Sequence, residues 1–325
     1  MLEQFGFIGN IAVLILSLVI LIKASSWAIT NTVKLAAITG LGKTKTGFIL
    51  VTFSTSLPEL FVAVFATLNP QTIGISIGNV LGSNIVNISL VLGIGFLIMA
   101  FKYPESAGFF TRMAKEEVGD LNFGLFIASI VPLILLYFNF ANQIVGASLI
   151  ALFAYNMYNL MKKRGTIEEI SDTATKRELG TYFFKSFLGI IGIVASAYFI
   201  VDSASFLALS AGVPTVIVGA TVIAFGTSVP ELATSIESIR KGFIDLAIGN
   251  IIGSCFINIT LILGLILLLA PFNVNTAAFS DLIIFSLITN IILWYILQNT
   301  KVSKREGAIL LAIYAVFLLI SFSGS

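Results

Sequence analysis

Glu59 and Glu231 stand inside long apolar runs, each directly after a proline, Pro58 or Pro230. A carboxylate in hydrocarbon costs several kcal/mol unless it is protonated, paired or bound to a cation, so acids placed there point to a site. Thr52, Thr55, Ser56 and Glu59 fall at i, i+3, i+4 and i+7, which gathers four oxygen-bearing side chains on one helical stripe. Thr227, Ser228 and Glu231 repeat the pattern, with Ala224 where Thr52 stood. Further along, Asn79, Ser83 and Asn87 are spaced i, i+4 and i+8, as are Asn250, Ser254 and Asn258.

Every donor in these sets is an oxygen: carboxylate, hydroxyl, amide or backbone carbonyl. Hard cations such as Ca²⁺ and Na⁺ are held by such donors, whereas softer metals favour sulfur and imidazole. The chain has no histidine and one cysteine, Cys255, which excludes imidazole metal sites, His-based triads and an internal disulfide framework. Two ionised glutamates carry a charge of −2, which one Ca²⁺ or two Na⁺ neutralise and three Na⁺ overshoot by one. A protein that reorients only when this charge is neutralised exchanges ions rather than leaking them. A cycle that moves one net charge is worth about 2.3 kcal/mol per 100 mV.

The helices that carry these residues should be irregular. Proline removes a backbone donor and clashes with the carbonyl four residues back, here Ser54 and Gly226. A bend or unwound turn is therefore expected beside each carboxylate, with carbonyls freed where only buried or wet surroundings tolerate them. Gly78 with Gly82, and Gly249 with Gly253, place hydrogen-only side chains four apart, which lets another helix approach closely.

Hydrophobic residues make up 58% of the 325 and charged residues 10%, against about 25% charged in a soluble domain. Lipid is therefore the solvent for most of the chain, and the expected class is an all-α integral membrane protein. Ten spans are expected, at 6–23, 46–68, 73–100, 121–139, 143–161, 182–206, 214–238, 244–270, 279–299 and 306–322. The spans at 73–100 and 244–270 exceed one straight crossing and should tilt or break. The first apolar run, Phe7 to Ile22, lacks a basic leader and is expected to stay as a spanning helix, with no soluble domain appended at either end. The net charge of +2 gives no reason to expect a nucleic-acid partner.

All 18 Lys and Arg fall at odd-numbered connections or their flanks, and the even-numbered ones (69–72, 140–142, 207–213, 271–278) and both tails have none. Under the positive-inside rule the odd connections are cytoplasmic and both termini lie outside. Residues 47–93 and 219–264 also align with a single gap, and the two glutamates fall at equivalent positions. Five spans separate corresponding helices, so the halves run in opposite directions: an inverted repeat. The expected organisation is an N-terminal five-helix half, 1–161, a solvated cytoplasmic linker, 162–181, and a C-terminal half, 182–325.

The paired T-S-x-P-E and G-N-x-x-G-S-x-x-x-N segments resemble the α-repeats of the sodium/calcium exchanger family, and the resemblance extends over the ten-span inverted layout. It implies a Na⁺/Ca²⁺ antiporter that works by alternating access and is electrogenic, not an enzyme, with Ca²⁺ and Na⁺ as cargo and no prosthetic group. By resemblance, Glu59 and Glu231 would bridge a central Ca²⁺ with Thr55 and Thr227. Ser56 and Ser83, Ser228 and Ser254, and the Ala224 carbonyl would complete flanking Na⁺ sites, and Asn87 and Asn258 would line the middle. The short linker aligns the chain with prokaryotic plasma-membrane members, and a monomer suffices for the layout. Ser54 and Thr52 depart from the family's glycine and alanine and add bulk and a hydroxyl on one side. Asn258 stands where potassium-dependent members carry aspartate, which argues against potassium coupling.

Other roles compete at each position. Buried acids can be structural, hydroxyls often bond back to their own helix, and asparagines can join helices without touching an ion. Asp202, Asp281 and Glu237 sit near span ends, where solvation or guidance of ions are both open. Among functions, a proton-coupled Ca²⁺ antiporter keeps the fold, although such relatives typically carry a G-N-A-x-E motif. A passive cation channel needs no locked empty state. An intramembrane hydrolase would need catalytic groups that are missing here, with no His and no aspartates paired at mid-depth.

Overall fold

Lipid offers no partner to a backbone N–H or C=O, so an apolar chain satisfies both within its own helices. The computed structural model describes residues 5–39, 52–102, 119, 123–127, 129–130, 133, 140–162, 178–240, 244–270, 272–273, 276–298 and 303–323. Apart from a two-residue antiparallel pairing of Phe140–Ala141 with Phe272–Asn273, the regular structure among these residues is helical. Six helices among the described residues are long and apolar enough to cross a membrane, or seven if the bent pair Thr215–Thr227 and Val229–Arg240 is one crossing. The expected span at 143–161 is a helix, Gln143–Lys162, and the one at 121–139 lies largely outside the described residues.

Two helices differ from expectation in length. The first runs Gly6–Thr39 rather than stopping near residue 23, because nothing between Ala24 and Thr39 breaks a helix: the stretch has neither Gly nor Pro. A charge at Lys23 marks polarity, not a terminus. The sixth expected span extends to Leu179–Ala211 and ends at Gly212, whose φ of 69° is the left-handed conformation that glycine adopts readily. These two long helices pack along each other, with Gly189 and Gly192 set against Ala28 and Ala24.

The polarity of the fold is inverted relative to a soluble domain. Large apolar side chains such as Ile8, Leu16, Phe187 and Leu319 are exposed on the outside. Thr55, Glu59, Asn79, Ser83, Thr227 and Glu231 are wholly buried. This is the arrangement expected where lipid is outside and polar groups can be satisfied only by each other or by what they bind.

Four helical segments position that interior: Leu57–Thr67 with the turn before it, Ile73–Ile85, the stretch Thr215–Arg240, and Ile244–Ile257. The Ile73–Ile85 helix and the stretch around Gly219 cross nearly backbone to backbone. A Cβ on Gly82 would lie 2.7 Å from the Ala220 carbonyl carbon, and one on Gly219 would lie 2.6 Å from the Ile75 oxygen. The close approach expected of Gly78 and Gly82 is thus present. The expected irregularity of the two long spans takes a specific form: π-helical turns at Val86–Val91 and Asn258–Ile262, each inside an otherwise continuous helix. A third such turn, Gly219–Ile223, precedes the second proline break.

Candidate functional site

Both prolines sit in the first turn of the helix carrying their glutamate, Leu57–Thr67 or Val229–Arg240. A proline is tolerated there because the N–H it lacks would have had no helical partner. The residues just before, Ser56 and Ser228, leave helical geometry in the same way, with φ −85° and ψ 2° and φ −85° and ψ 1°. At Ser228 the chain bends by 41°. The ladder is narrowly interrupted: Ser228 N–H still reaches the Ala224 carbonyl at 3.1 Å, and Ser56 N–H reaches that of Thr52 at 3.1 Å. Neither carbonyl is free in this conformation. Ala224 also accepts from Thr227 Oγ1 at 3.3 Å, and Thr52 from Thr55 Oγ1 at 3.1 Å.

The breaks bring the two glutamates into one cluster, within electrostatic reach of each other. Among the described residues they are the only acidic side chains that are wholly buried. The hydroxyls facing the Glu59 carboxyl belong to Thr227 and Ser228, from the other motif. Thr55, from the first motif, faces Glu231 together with Ser254. Hydrogen bonds cross in the same sense, with Thr55 and Ser254 joined at 3.3 Å and Ser83 and Thr227 at 3.3 Å. Ser56 donates to Ser254 at 3.2 Å, and Ser254 donates to Glu231 Oε1 at 3.2 Å.

The remaining carboxylate oxygens, both of Glu59 and Oε2 of Glu231, have no hydrogen-bond partner among the described residues, nor does the hydroxyl of Ser228. Asn87 is wholly buried with both amide atoms unpartnered, and so is Oδ1 of Asn258. Orphaned acceptors at this density are costly in any interior, at about 1–3 kcal/mol each and more for a charged group. All of them except Asn87 Nδ2 can accept, and three are carboxylate oxygens, a set that suits a cation better than an anion.

Of the positions read from sequence, Thr55, Ser56, Glu59, Ser83, Thr227, Ser228, Glu231 and Ser254 are joined in this cluster by bonds or by facing carboxyls. Thr52 and Ala224 contribute the carbonyls at its two breaks. Asn87 and Asn258 begin or border the π-helical turns, which pack against the opposite motif's glutamate helix: Val86–Val91 on Val229–Arg240, and Asn258–Ile262 on Leu57–Thr67. Asp202 lies apart, in a cavity of about 300 Å³ with Asn69, Thr72 and Tyr198, and Asp281 and Glu237 are exposed. Sequence reasoning missed Asn84, which is wholly buried and bonded to Asn258. The signal available was its chemistry, an amide in an apolar helix, rather than its place on the stripe.

Fold and site together define a polytopic helical membrane protein whose interior gathers two carboxyls and a shell of hydroxyls and amides. The description "sodium/calcium exchanger protein" matches residues 9–162 and 181–323, so the chain belongs to the sodium/calcium exchanger family. The sodium/calcium exchanger MaX1 of Methanosarcina acetivorans is 29% identical over 354 residues, covering 96% of this chain and 98% of that protein. Inner membrane protein YrbG of Escherichia coli is 27% identical, covering 84% of each. Among solved structures, the sodium-calcium exchanger NCX_Mj soaked with 10 mM Na⁺ and zero Ca²⁺ superposes with a TM-score of 0.66 at 22% identity, over 95% of this chain and 98% of that one. The H⁺/Ca²⁺ exchanger CAX superposes with a TM-score of 0.77 at 17% identity, over 97% and 87%. At these identities the structural matches establish the fold.

Proposed function

We propose that this protein is an electrogenic Na⁺/Ca²⁺ antiporter that works by alternating access around the cluster of Glu59 and Glu231. The carrying observation is the pair of wholly buried carboxyls, three of whose four oxygens have no donor among the described residues. Leaving −2 unpaired in a low-dielectric interior costs several kcal/mol. One Ca²⁺ removes that cost, and so do two Na⁺, so the two ions compete for the same charge. The empty site is locked by its own charge.

In this reading Ca²⁺ is held by Glu59 and Glu231 with Thr55 and Thr227. Flanking Na⁺ positions use Ser56 and Ser254, which are hydrogen-bonded at 3.2 Å, on one side and Ser83 and Ser228 on the other, with the Thr52 turn and the Ala224 carbonyl completing them. Asn87 and Asn258 line the middle. The matching geometry at Ser56 and Ser228, and the π-helical turns at Val86–Val91 and Asn258–Ile262, support two five-helix halves of inverted topology, 1–161 and 182–325, joined by 162–181. With the basic residues placed inside, ten spans put both termini outside a plasma membrane, and a single chain holds the whole site. Nothing in the cluster calls for enzymatic chemistry.

A proton-coupled antiporter is the second reading, favoured by the higher TM-score to the H⁺/Ca²⁺ exchanger. Proteoliposomes loaded with Na⁺ separate the two. ⁴⁵Ca²⁺ uptake should follow the Na⁺ gradient at clamped voltage and external pH, and should grow as the interior is made positive if three Na⁺ leave per Ca²⁺. Uptake driven by a pH gradient and indifferent to Na⁺ would transfer the assignment to protons. Uptake that needs no counter-ion would make the protein a passive channel.

A further inference from the structure

Asn84 belongs to none of the donor sets above, yet it is wholly buried where the Ile73–Ile85 helix meets the segment carrying Cys255 and Asn258. Its Nδ2 donates to the backbone carbonyl of Cys255 at 3.3 Å, and its Oδ1 accepts from Nδ2 of Asn258 at 3.2 Å. A backbone carbonyl can only accept. It therefore dictates the polarity of the whole relay: Asn84 must turn its amino group to Cys255, which leaves its oxygen for Asn258. Asn258 must then spend its amino group on Asn84. What remains is Asn258 Oδ1, buried and without a donor.

The other half pairs different groups at the equivalent positions. Residue 255 aligns with Asn84, and a thiol stands there instead of an amide. Asn87, aligned with Asn258, faces the Cys255 thiol, and among the described residues neither of its amide atoms makes a well-formed hydrogen bond. Two asparagines at equivalent positions are thus presented differently. One offers its oxygen by construction, while the other has beside it only the Cys255 thiol, a weak donor and weak acceptor that does not dictate which end it presents.

We propose that Asn84 is a positioning residue that holds the Asn258 amide with its oxygen, and not its amino group, available to a bound cation, which makes the two halves of the site unequal. This inference rests on the cation-exchange reading above. It deepens that reading, because an inverted amide at Asn258 would set two partial positive hydrogens against the ion. The alternative is that Asn84 merely joins two helices, in which case its loss affects folding and not ion affinity.

A double-mutant cycle distinguishes these roles. The full chain in detergent is titrated with CaCl₂, and the ion-dependent rise in melting temperature is read for wild type, Asn84→Ala, Asn258→Ala and the double variant. Asn84→Ala and Asn258→Ala should each weaken apparent Ca²⁺ affinity by about tenfold, and the double variant should bind no worse than Asn258→Ala alone. Asn84→Ser, whose hydroxyl can both donate and accept, should lose less than Asn84→Ala. It also stands in if the alanine variant does not fold. Independent, additive losses from the two positions, or unchanged affinity in a folded Asn84 variant, would overturn the proposal. A wild-type protein whose melting ignores Ca²⁺ would instead sink the cation reading itself, and this inference with it.

Discussion

Ser254 Oγ donates to Glu231 Oε1 at 3.2 Å, whereas Ser83, its counterpart, bonds to Thr227, and among the described residues neither oxygen of Glu59 has a well-formed bond from a donor. The two carboxyls of one cluster are therefore held differently. Glu231 is anchored by a hydroxyl that also receives Ser56 and meets Thr55, so one side chain ties its own helix and the Thr55–Ser56 turn to one acid. Glu59 is faced by Thr227 and Ser228, neither of which makes a bond as well formed as that of Ser254 to Glu231. The acid with more unmet acceptors has more to gain from a cation.

Ser254→Ala removes the hydroxyl that, among the described residues, makes the well-formed bond to a site carboxylate. A hydrogen bond to a charged group is worth about 1.5–3 kcal/mol, so apparent Na⁺ and Ca²⁺ affinities should fall by roughly tenfold to a hundredfold. Ser83→Ala breaks only a hydroxyl–hydroxyl contact and should cost several-fold less. Half-saturation constants from counter-flow in proteoliposomes check the order. Equal effects of the two substitutions would show that the asymmetry does not survive ion binding.

Glu59→Gln and Glu231→Gln should each abolish Ca²⁺ exchange, because a single carboxylate cannot neutralise a divalent ion in a low-dielectric site. Both variants should melt at the wild-type temperature or above it in ion-free buffer, since each removes one of two buried like charges. Transport and melting measured on the same preparation test both halves of the statement. Full Ca²⁺ exchange in either variant is the result that would falsify a shared site.

Much of this was legible in the residues, for identifiable reasons. An acid in an apolar run is so costly that Glu59 and Glu231 announce themselves, and a proline without an N–H marks the break beside each. Glycines four apart, Gly78 and Gly82, announce a close crossing because no other side chain permits one. Asn84 was hidden because it lies a helical step off the Asn79–Ser83–Asn87 stripe, and its partner is a backbone carbonyl, which has no identity in a sequence. The π-helical turns at Val86–Val91 and Asn258–Ile262 have no local signature either. The apolar run of the first span stops at Lys23, but a lysine ends no helix when helix-forming residues continue beyond it, here to Thr39.

The glycine crossing makes a prediction about stability rather than transport. A methyl group at residue 82 would lie 2.5 Å from Ala220 Cα, backbone that cannot rotate away. Gly82→Ala should destabilise by at least about 2 kcal/mol through overpacking. Gly180→Ala makes the same chemical change where nothing among the described residues lies within 4 Å, early in the helix Leu179–Ala211. There the gain in helix propensity should make it neutral or stabilising by up to about 1 kcal/mol. Opposite shifts in melting temperature from one methyl group would establish the crossing in solution.

Pro230→Ala separates the geometry of the break from the chemistry of the acid. The new N–H can complete the bond to the carbonyl of Gly226, and with the ring gone nothing opposes a straight helix through Ser228. Straightening the 41° bend rotates Glu231 relative to Ser254 and Thr55, which face it only because the chain turns at Ser228. The protein should therefore become as stable as wild type or more so, while Ca²⁺ exchange falls by an order of magnitude or more, about 1.4 kcal/mol per tenfold. Melting curves and ⁴⁵Ca²⁺ flux on the same sample measure the two effects. Gly226→Ala is not equivalent, because a Cβ there strikes Leu18 of the first helix and disturbs packing instead. If Pro230→Ala transports at the wild-type rate, the bend is a consequence of the fold and not a requirement of the site.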